Sequence, residues 1–222
     1  MTWIKICGIT NLEDALVAVE AGADAVGFVF YNGSPRNISA RKAWEITQKL
    51  PPKIEKVGVF VNQQEDAICS VADEAGLTAV QLHGQNEDSH VADLVAERGG
   101  LKVLMAIAMN GVDPAGNAMM LRPDSVHAFL ADSGSSTNHG GTGKTFEWHA
   151  AMDNLLVLKR LGNLVLAGGL TPENVRTAIE ITEPWGVDVS SGVEKKPGKK
   201  EPEKVRSFIT AVRESDKAKA RN

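Results

Sequence analysis

The run Trp3-Ile4-Lys5-Ile6-Cys7-Gly8-Ile9-Thr10 decides how the rest of the chain is read. Trp3 to Cys7 reads as a short β-strand, and Gly8 breaks it. Thr10, with Glu13 three residues on, has the spacing of a capping box and opens a helix. A thiol therefore stands at the carboxyl end of a first strand that feeds directly into a helix. Side chains alternate across a strand, so Ile4 and Ile6 share one face and Lys5 and Cys7 the other. The apolar pair belongs against surrounding helices, and Lys5 and Cys7 belong on the enclosed side.

The same unit repeats outward from there. Leu12, Ala15, Leu16 and Val19 form a helical stripe that Gly22 ends. Further strands are predicted over 24–30, 54–61, 78–82, 101–107, 126–132, 163–167 and 185–189. Helices are predicted between them over 39–50, 63–75, 87–97 and 148–160, from Thr171-Pro172 onward, and over 202–213. Ser39 caps the second helix, and Pro51-Pro52 forbids its continuation. Gly111, Pro114 and Gly116 leave room for only a short or irregular fifth helix. Eight strands alternating with about eight helices in 222 residues favour a single closed (β/α)8 TIM barrel of the α/β class. A doubly wound open sheet is the competitor, but the first βα turn lacks the GxGxxG fingerprint. One barrel domain is expected over 1–214, with a charged tail over 215–222 that frays.

Composition narrows the function. Apolar residues make up 43% and charged residues 23%, as in ordinary globular proteins. A formal charge of −4 argues against nucleic acid as a partner. No apolar run approaches the roughly 20 residues needed to span a bilayer, so no membrane partner is expected. Cys7 and Cys69 form no metal-type or redox spacing, and a reduced, cytoplasmic chain is the natural expectation. Nothing in the pattern suggests a partner face, so a monomer is expected.

In (β/α)8 barrels chemistry sits at the carboxyl ends of the strands. Asp132 closes Ala128-Phe129-Leu130-Ala131-Asp132 as Cys7 closes the first strand, and its parity with Ala128 and Leu130 turns it toward the same mouth. A thiol and a carboxyl at two strand tips suit acid–base work on a substrate held between them. Capping of the Ser133-Gly134 turn is the plain alternative for Asp132. Two glycine-rich segments, Leu166-Ala167-Gly168-Gly169-Leu170 and Asp188-Val189-Ser190-Ser191-Gly192-Val193-Glu194, follow strands seven and eight, where barrels commonly bind phosphate. Arg36 follows Ser34-Pro35, and its fork suits a planar carboxylate. Asp188 is placed to contact a substrate or to pair with Lys5. His83 shares the parity of Gln81 and can reach the pocket.

Together with Gly27-Phe28-Val29-Phe30, Ser34-Pro35-Arg36, Gly58-Val59-Phe60-Val61, Gln81-Leu82-His83-Gly84 and Gly140-Gly141-Thr142-Gly143, these segments resemble the phosphoribosylanthranilate isomerase family of tryptophan biosynthesis. The resemblance runs in order from strand one to strand eight. It implies an Amadori rearrangement of a phosphosugar substrate with no metal and no cofactor. It implies Asp132 as general acid, Cys7 as general base and Arg36 as the holder of the anthranilate carboxylate; strand parity adds Lys5, His83 and Asp188 as candidate substrate contacts. It places Gly143, Gly168, Gly169, Ser191 and Gly192 around the phosphate. The related histidine-pathway sugar isomerase typically carries an aspartate where Cys7 stands. Indole-glycerol-phosphate synthase needs more strand-end lysines and glutamates. A non-catalytic phosphate-binding barrel would have no use for the set Cys7, Asp132 and Arg36.

Overall fold

The computed structural model describes residues 1–83, 89–111, 113–119, 125–134 and 145–220. Eight parallel strands close into a barrel in sequence order. They are β1 (Trp3–Ile6), β2 (Ala25–Val29), β3 (Glu55–Val61), β4 (Ala79–His83), β5 (Lys102–Ala108), β6 (Ala128–Asp132), β7 (Asn163–Leu166) and β8 (Gly186–Val189). β8 returns to β1 with Trp3 opposite Gly186 and Lys5 opposite Asp188. The helices between them are α1 (Leu12–Ala21), α2 (Ala40–Thr47), α3 (Glu65–Ala75), α4 (Ser89–Gly99), α5 (Pro114–Met119), α6 (Met152–Leu161) and α7 (Val175–Thr182), with α8 (Pro202–Lys219) closing the ring.

Two separate apolar clusters follow from strand alternation. Inside the barrel, Ala25, Val57, Ala79, Leu104, Ala128, Leu130, Val165 and Ala167 pack together. Outside it, Ile4, Ile6, Val26, Phe28, Phe60, Leu82, Phe129 and Leu166 meet the helices. Each such buried side chain contributes about 1.5–3 kcal/mol. Small residues dominate the inner cluster because eight strands leave a narrow lumen. The faces assigned to Ile4 and Ile6 are therefore the observed ones.

Several boundaries differ from expectation, each for a tertiary reason. The cap of α1 is Asn11, whose side chain accepts from the Asp14 N–H at 2.9 Å. Thr10, expected in that role, instead donates its hydroxyl to the Gly198 carbonyl at 2.6 Å. α7 starts at Val175 rather than at Thr171-Pro172, because the Thr171 N–H donates to the Asn174 side chain at 2.8 Å and forms a turn. α6 begins at Met152, after a turn that takes up the residues from Trp148. α5 is indeed short, at six residues.

Residues 215–219, expected to fray, continue α8 to Lys219. Ser215 is buried, and the Asp216 carboxylate accepts from the Thr2 N–H at 3.0 Å and the Thr2 hydroxyl at 2.7 Å. Arg213 adds a bond to the Thr2 carbonyl at 2.6 Å and an ion pair to Asp24 at 3.0 Å. The far end of α8 is thus anchored to the start of β1.

Past β8 the chain makes a short 3-10 turn (Ser191–Val193) and an unexpected antiparallel hairpin of β9 (Glu194–Lys196) and β10 (Lys199–Lys200). Pro197-Gly198 is its turn, with Gly198 at φ +77°. Among the described residues no helix is long and apolar enough to cross a membrane.

Candidate active site

The mouth of the barrel is built from strand tips. Cys7 follows the last residue of β1, and its N–H still donates to the Val189 carbonyl at 2.8 Å, so the β1–β8 ladder runs on to the thiol. Gly27 on β2 makes room for it. A Cβ there would lie 2.8 Å from Cys7 Sγ and 3.0 Å from Lys5 Cε. Lys5 is fully buried beneath, donating to Gln81 Oε1 at 2.8 Å and lying 3.0 Å from Asp188 Oδ1. Gln81 in turn contacts His83 through their Nε2 atoms.

Lys5 was expected to face the substrate, but it lies under the site, engaged by protein groups on β4 and β8. Burial presses its pKa down, yet Asp188 and Cys7 more than offset this, and it ends above the ordinary lysine value. Asp188 is the Lys5 partner that parity offered. His83 is buried beside Gln81. Burial raises the Cys7 pKa, the Lys5 ammonium lowers it, and the net result is upward. The thiol form is therefore favoured at rest, even with a cation adjacent.

Asp132 ends β6 half-buried. Its Oδ1 accepts from the Gly134 N–H at 3.1 Å, so the carboxyl does cap its own turn as well as face the mouth. Burial pushes its pKa up, and the bonds from Gly134 and Ser133 and the charge of Lys5 only partly oppose that. Cys7 and Asp132 thus stand at the carboxyl ends of β1 and β6 in one closed barrel.

The turn that carries Asp132 rests on the loop after β7. A Cβ on Gly168, at φ +79°, would lie 2.4 Å from the Ser133 backbone nitrogen. A Cβ on Gly192 would lie 1.9 Å from the Leu170 carbonyl oxygen. Only glycine allows these backbone approaches. The first seats the loop after β7 on the turn after β6, and the second seats Gly192, past β8, on the Leu170 backbone. Gly143 lies outside the described residues.

Arg36 reaches the same mouth from the β2–α2 loop. Its stem lies over Gly8, where a Cβ would be 2.6 Å from Arg36 Cδ. Its guanidinium is already held: Nε and Nη2 donate to Glu194 at 2.9 and 2.8 Å. Sequence reading missed Glu194, Lys200 and Gln81 as members of this region. The Pro-Gly turn between two lysine pairs was the available signal for the β9–β10 hairpin that carries the first two. Among the described residues no group of three or more His, Cys, Asp or Glu side chains is gathered as a metal site.

A closed parallel barrel with a thiol and a carboxyl at its carboxyl-end mouth has the form of a (β/α)8-barrel enzyme. Comparison with known proteins makes that specific. Residues 4–211 match the family described as N-(5'phosphoribosyl)anthranilate (PRA) isomerase, and the chain belongs to that family. The N-(5'-phosphoribosyl)anthranilate isomerase of Citrifermentans bemidjiense is 46% identical over 213 residues, covering 96% of this chain and 98% of that protein. A solved phosphoribosylanthranilate isomerase in complex with reduced 1-(o-carboxyphenylamino)-1-deoxyribulose 5-phosphate is 42% identical, with TM-score 0.82 over 96% of this chain and 100% of that one. A monomeric form of the dimeric enzyme from Thermotoga maritima is also 42% identical, with TM-score 0.79 over 96% and 100% of the two chains.

Proposed function

We propose that Cys7 and Asp132 act as base and acid in converting N-(5'-phosphoribosyl)anthranilate to 1-(2-carboxyphenylamino)-1-deoxy-D-ribulose 5-phosphate, the third step from chorismate to tryptophan. The observation that carries this reading is the placement of Cys7 just past β1 and of Asp132 at the end of β6, both at the carboxyl-end mouth of one closed parallel barrel.

Asp132, whose pKa burial raises, gives its proton to the ring oxygen from its protonated form. The C1′–O bond breaks as the anilino nitrogen lone pair forms an iminium, and the furanose opens. The iminium withdraws electrons from C2′ and acidifies its C–H bond. Its positive charge, arriving beside Cys7, favours the thiolate in the same sense as Lys5. Cys7 then takes the C2′ proton, and the electron pair of that bond moves into an enolamine that tautomerises to the ketone. No oxidant, metal or cofactor is needed for the electron balance.

Positioning supplies the rest. We assign the anthranilate carboxylate to Arg36 and the phosphate to Gly143, Gly168, Gly169, Ser191 and Gly192. Fixing both anionic ends holds the sugar between the two catalytic groups, an effect that can contribute several kcal/mol. Lys5, Asp188 and His83 support the site, Lys5 through its charge on Cys7. A free thiol with this role fits the reducing cytoplasm.

The direct test is consumption of N-(5'-phosphoribosyl)anthranilate, followed as loss of its fluorescence with purified protein. Turnover without added metal or cofactor is expected. Turnover of the histidine-pathway aminoaldose instead, with none of the anthranilate compound, would overturn the assignment. We further propose that the chain works as a monomer, since its sequence pattern marks out no partner face, although the Thermotoga maritima relative is dimeric. Light scattering at assay concentration should return about one chain mass of 23.7 kDa. Twice that mass would overturn it.

A further inference from the structure

We infer that Glu194 is a positioning residue for carboxylate recognition: by occupying the side edge of Arg36 it leaves the Nη1/Nη2 edge as the fork presented to the substrate. This rests on the reading of Arg36 given above and names the element that aims it.

A guanidinium offers two edges that can grip a carboxylate with two parallel bonds, Nε with Nη2 and Nη1 with Nη2. Glu194 takes the first edge, with Oε1 on Nε at 2.9 Å and Oε2 on Nη2 at 2.8 Å. The pair is almost wholly removed from solvent, with side-chain exposures of 11% and 4%. Such a pair holds one planar orientation more firmly than a surface ion pair would.

Glu194 is itself held from below. Lys200, fully buried, donates to Glu194 Oε1 at 3.1 Å and to the Ser190 carbonyl at 3.1 Å. The Gly198 N–H donates to the same Oε1 at 3.2 Å. The Lys200 N–H is anchored to Asp14 Oδ2 at 2.8 Å, which ties β10 to α1. The β9–β10 hairpin is thus a bracket whose one inward carboxylate meets Arg36.

The charges agree with the geometry. Glu194 is one carboxylate set among the Arg36, Lys200 and Lys204 side chains, and burial holds the Lys200 pKa below its ordinary value. Burial raises the Glu194 pKa, but Arg36 and Lys200 outweigh it and hold the carboxyl below its usual value. One added carboxylate, as on an ortho-carboxyanilino group, would meet basic groups that Glu194 alone does not balance. The Arg36 stem lies against Gly8, the residue that follows Cys7, and the charge of Cys7 adds to the rise of the Arg36 pKa. Recognition of the aromatic acid and the base that acts on the sugar are thereby set side by side.

The test compares two ligands: reduced 1-(o-carboxyphenylamino)-1-deoxyribulose 5-phosphate and the phenylamino compound that lacks the carboxyl. Wild type should bind the first about a hundredfold more tightly, the scale of a buried charge-assisted contact. Arg36→Met should abolish that preference. Glu194→Gln should shrink it to about tenfold or less with the phosphate-driven affinity for the second ligand unchanged. Glu194→Asp, which keeps the charge but draws back the fork, should fall between them if the glutamine variant folds poorly, with thermal midpoints recorded for all. A full preference retained in folded Glu194→Gln and Glu194→Asp would overturn the inference while leaving Arg36 its role. A full preference retained in Arg36→Met would overturn the reading of Arg36, and the inference with it.

Discussion

Cys7→Ala should lose turnover by about a hundred- to ten-thousandfold, the usual range for removing a general base, while the barrel stays folded. The truncation deletes one sulfur from a position whose backbone is held independently. Its N–H remains bonded to Val189 O at 2.8 Å, and its neighbour Gly8 sits at φ +78°. A small cavity beside Gly27 is the only packing cost, of order 1 kcal/mol or less. Cys7→Ser separates chemistry from packing. The hydroxyl fills most of the space of the thiol but its proton is far too tightly held for the oxygen to serve as base near neutrality, so serine should be nearly as inactive as alanine. The checks are kcat on the anthranilate substrate and binding of the reduced product analogue, which should survive both changes. More than about a tenth of wild-type kcat in Cys7→Ser would remove Cys7 from the role of base.

The residues behind that prediction were legible because local rules and the fold agree there. Strand parity separates Ile4 and Ile6 from Lys5 and Cys7, and the two apolar clusters reproduce that division. The same parity turns Asp132 to the mouth with Leu130 beneath it. The eight strands could be counted because each is a short apolar run between turn signals. What could not be read depends on partners remote in sequence. Glu194 meets Arg36 across 158 positions. A run such as Glu194-Lys195-Lys196 looks like a solvated face. Yet Lys200 in the next strand is fully buried, because Asp14, Ser190 and Glu194 converge on it. Thr10 satisfies every local criterion for a cap and loses the role because Gly198 takes its hydroxyl. Residues 215–219 lack an apolar stripe and read as a tail, but Asp216 finds Thr2 at the opposite terminus. In each case a hydrogen bond closed over a long chain distance outweighs a propensity of about 1 kcal/mol or less.

Asp132→Asn should be comparably damaging, and its residual activity should expose how the two catalytic groups share protons. The productive free enzyme carries a protonated Asp132 and a Cys7 thiolate. At any pH above the carboxyl pKa and below the thiol pKa, rising pH depletes the first form and generates the second in equal proportion. Wild-type kcat/KM is therefore expected to hold a plateau between the two pKa values and to fall beyond them. Asparagine cannot give up the proton, so turnover should drop about a hundredfold or more. What activity remains should rise about tenfold per pH unit through neutrality, tracking the Cys7 thiolate alone. A flat residual profile would mean that Cys7 is not the group titrating. Stability carries an independent sign. The native Asp132 pKa lies above its unfolded value because burial penalises the carboxylate. Its proton-linked contribution is then fully present below the unfolded pKa and is lost as pH rises through the native one. The asparagine variant lacks this loss. Its thermal midpoint should match wild type in acid and exceed it at neutral pH, a gain in stability opposite to its loss of function.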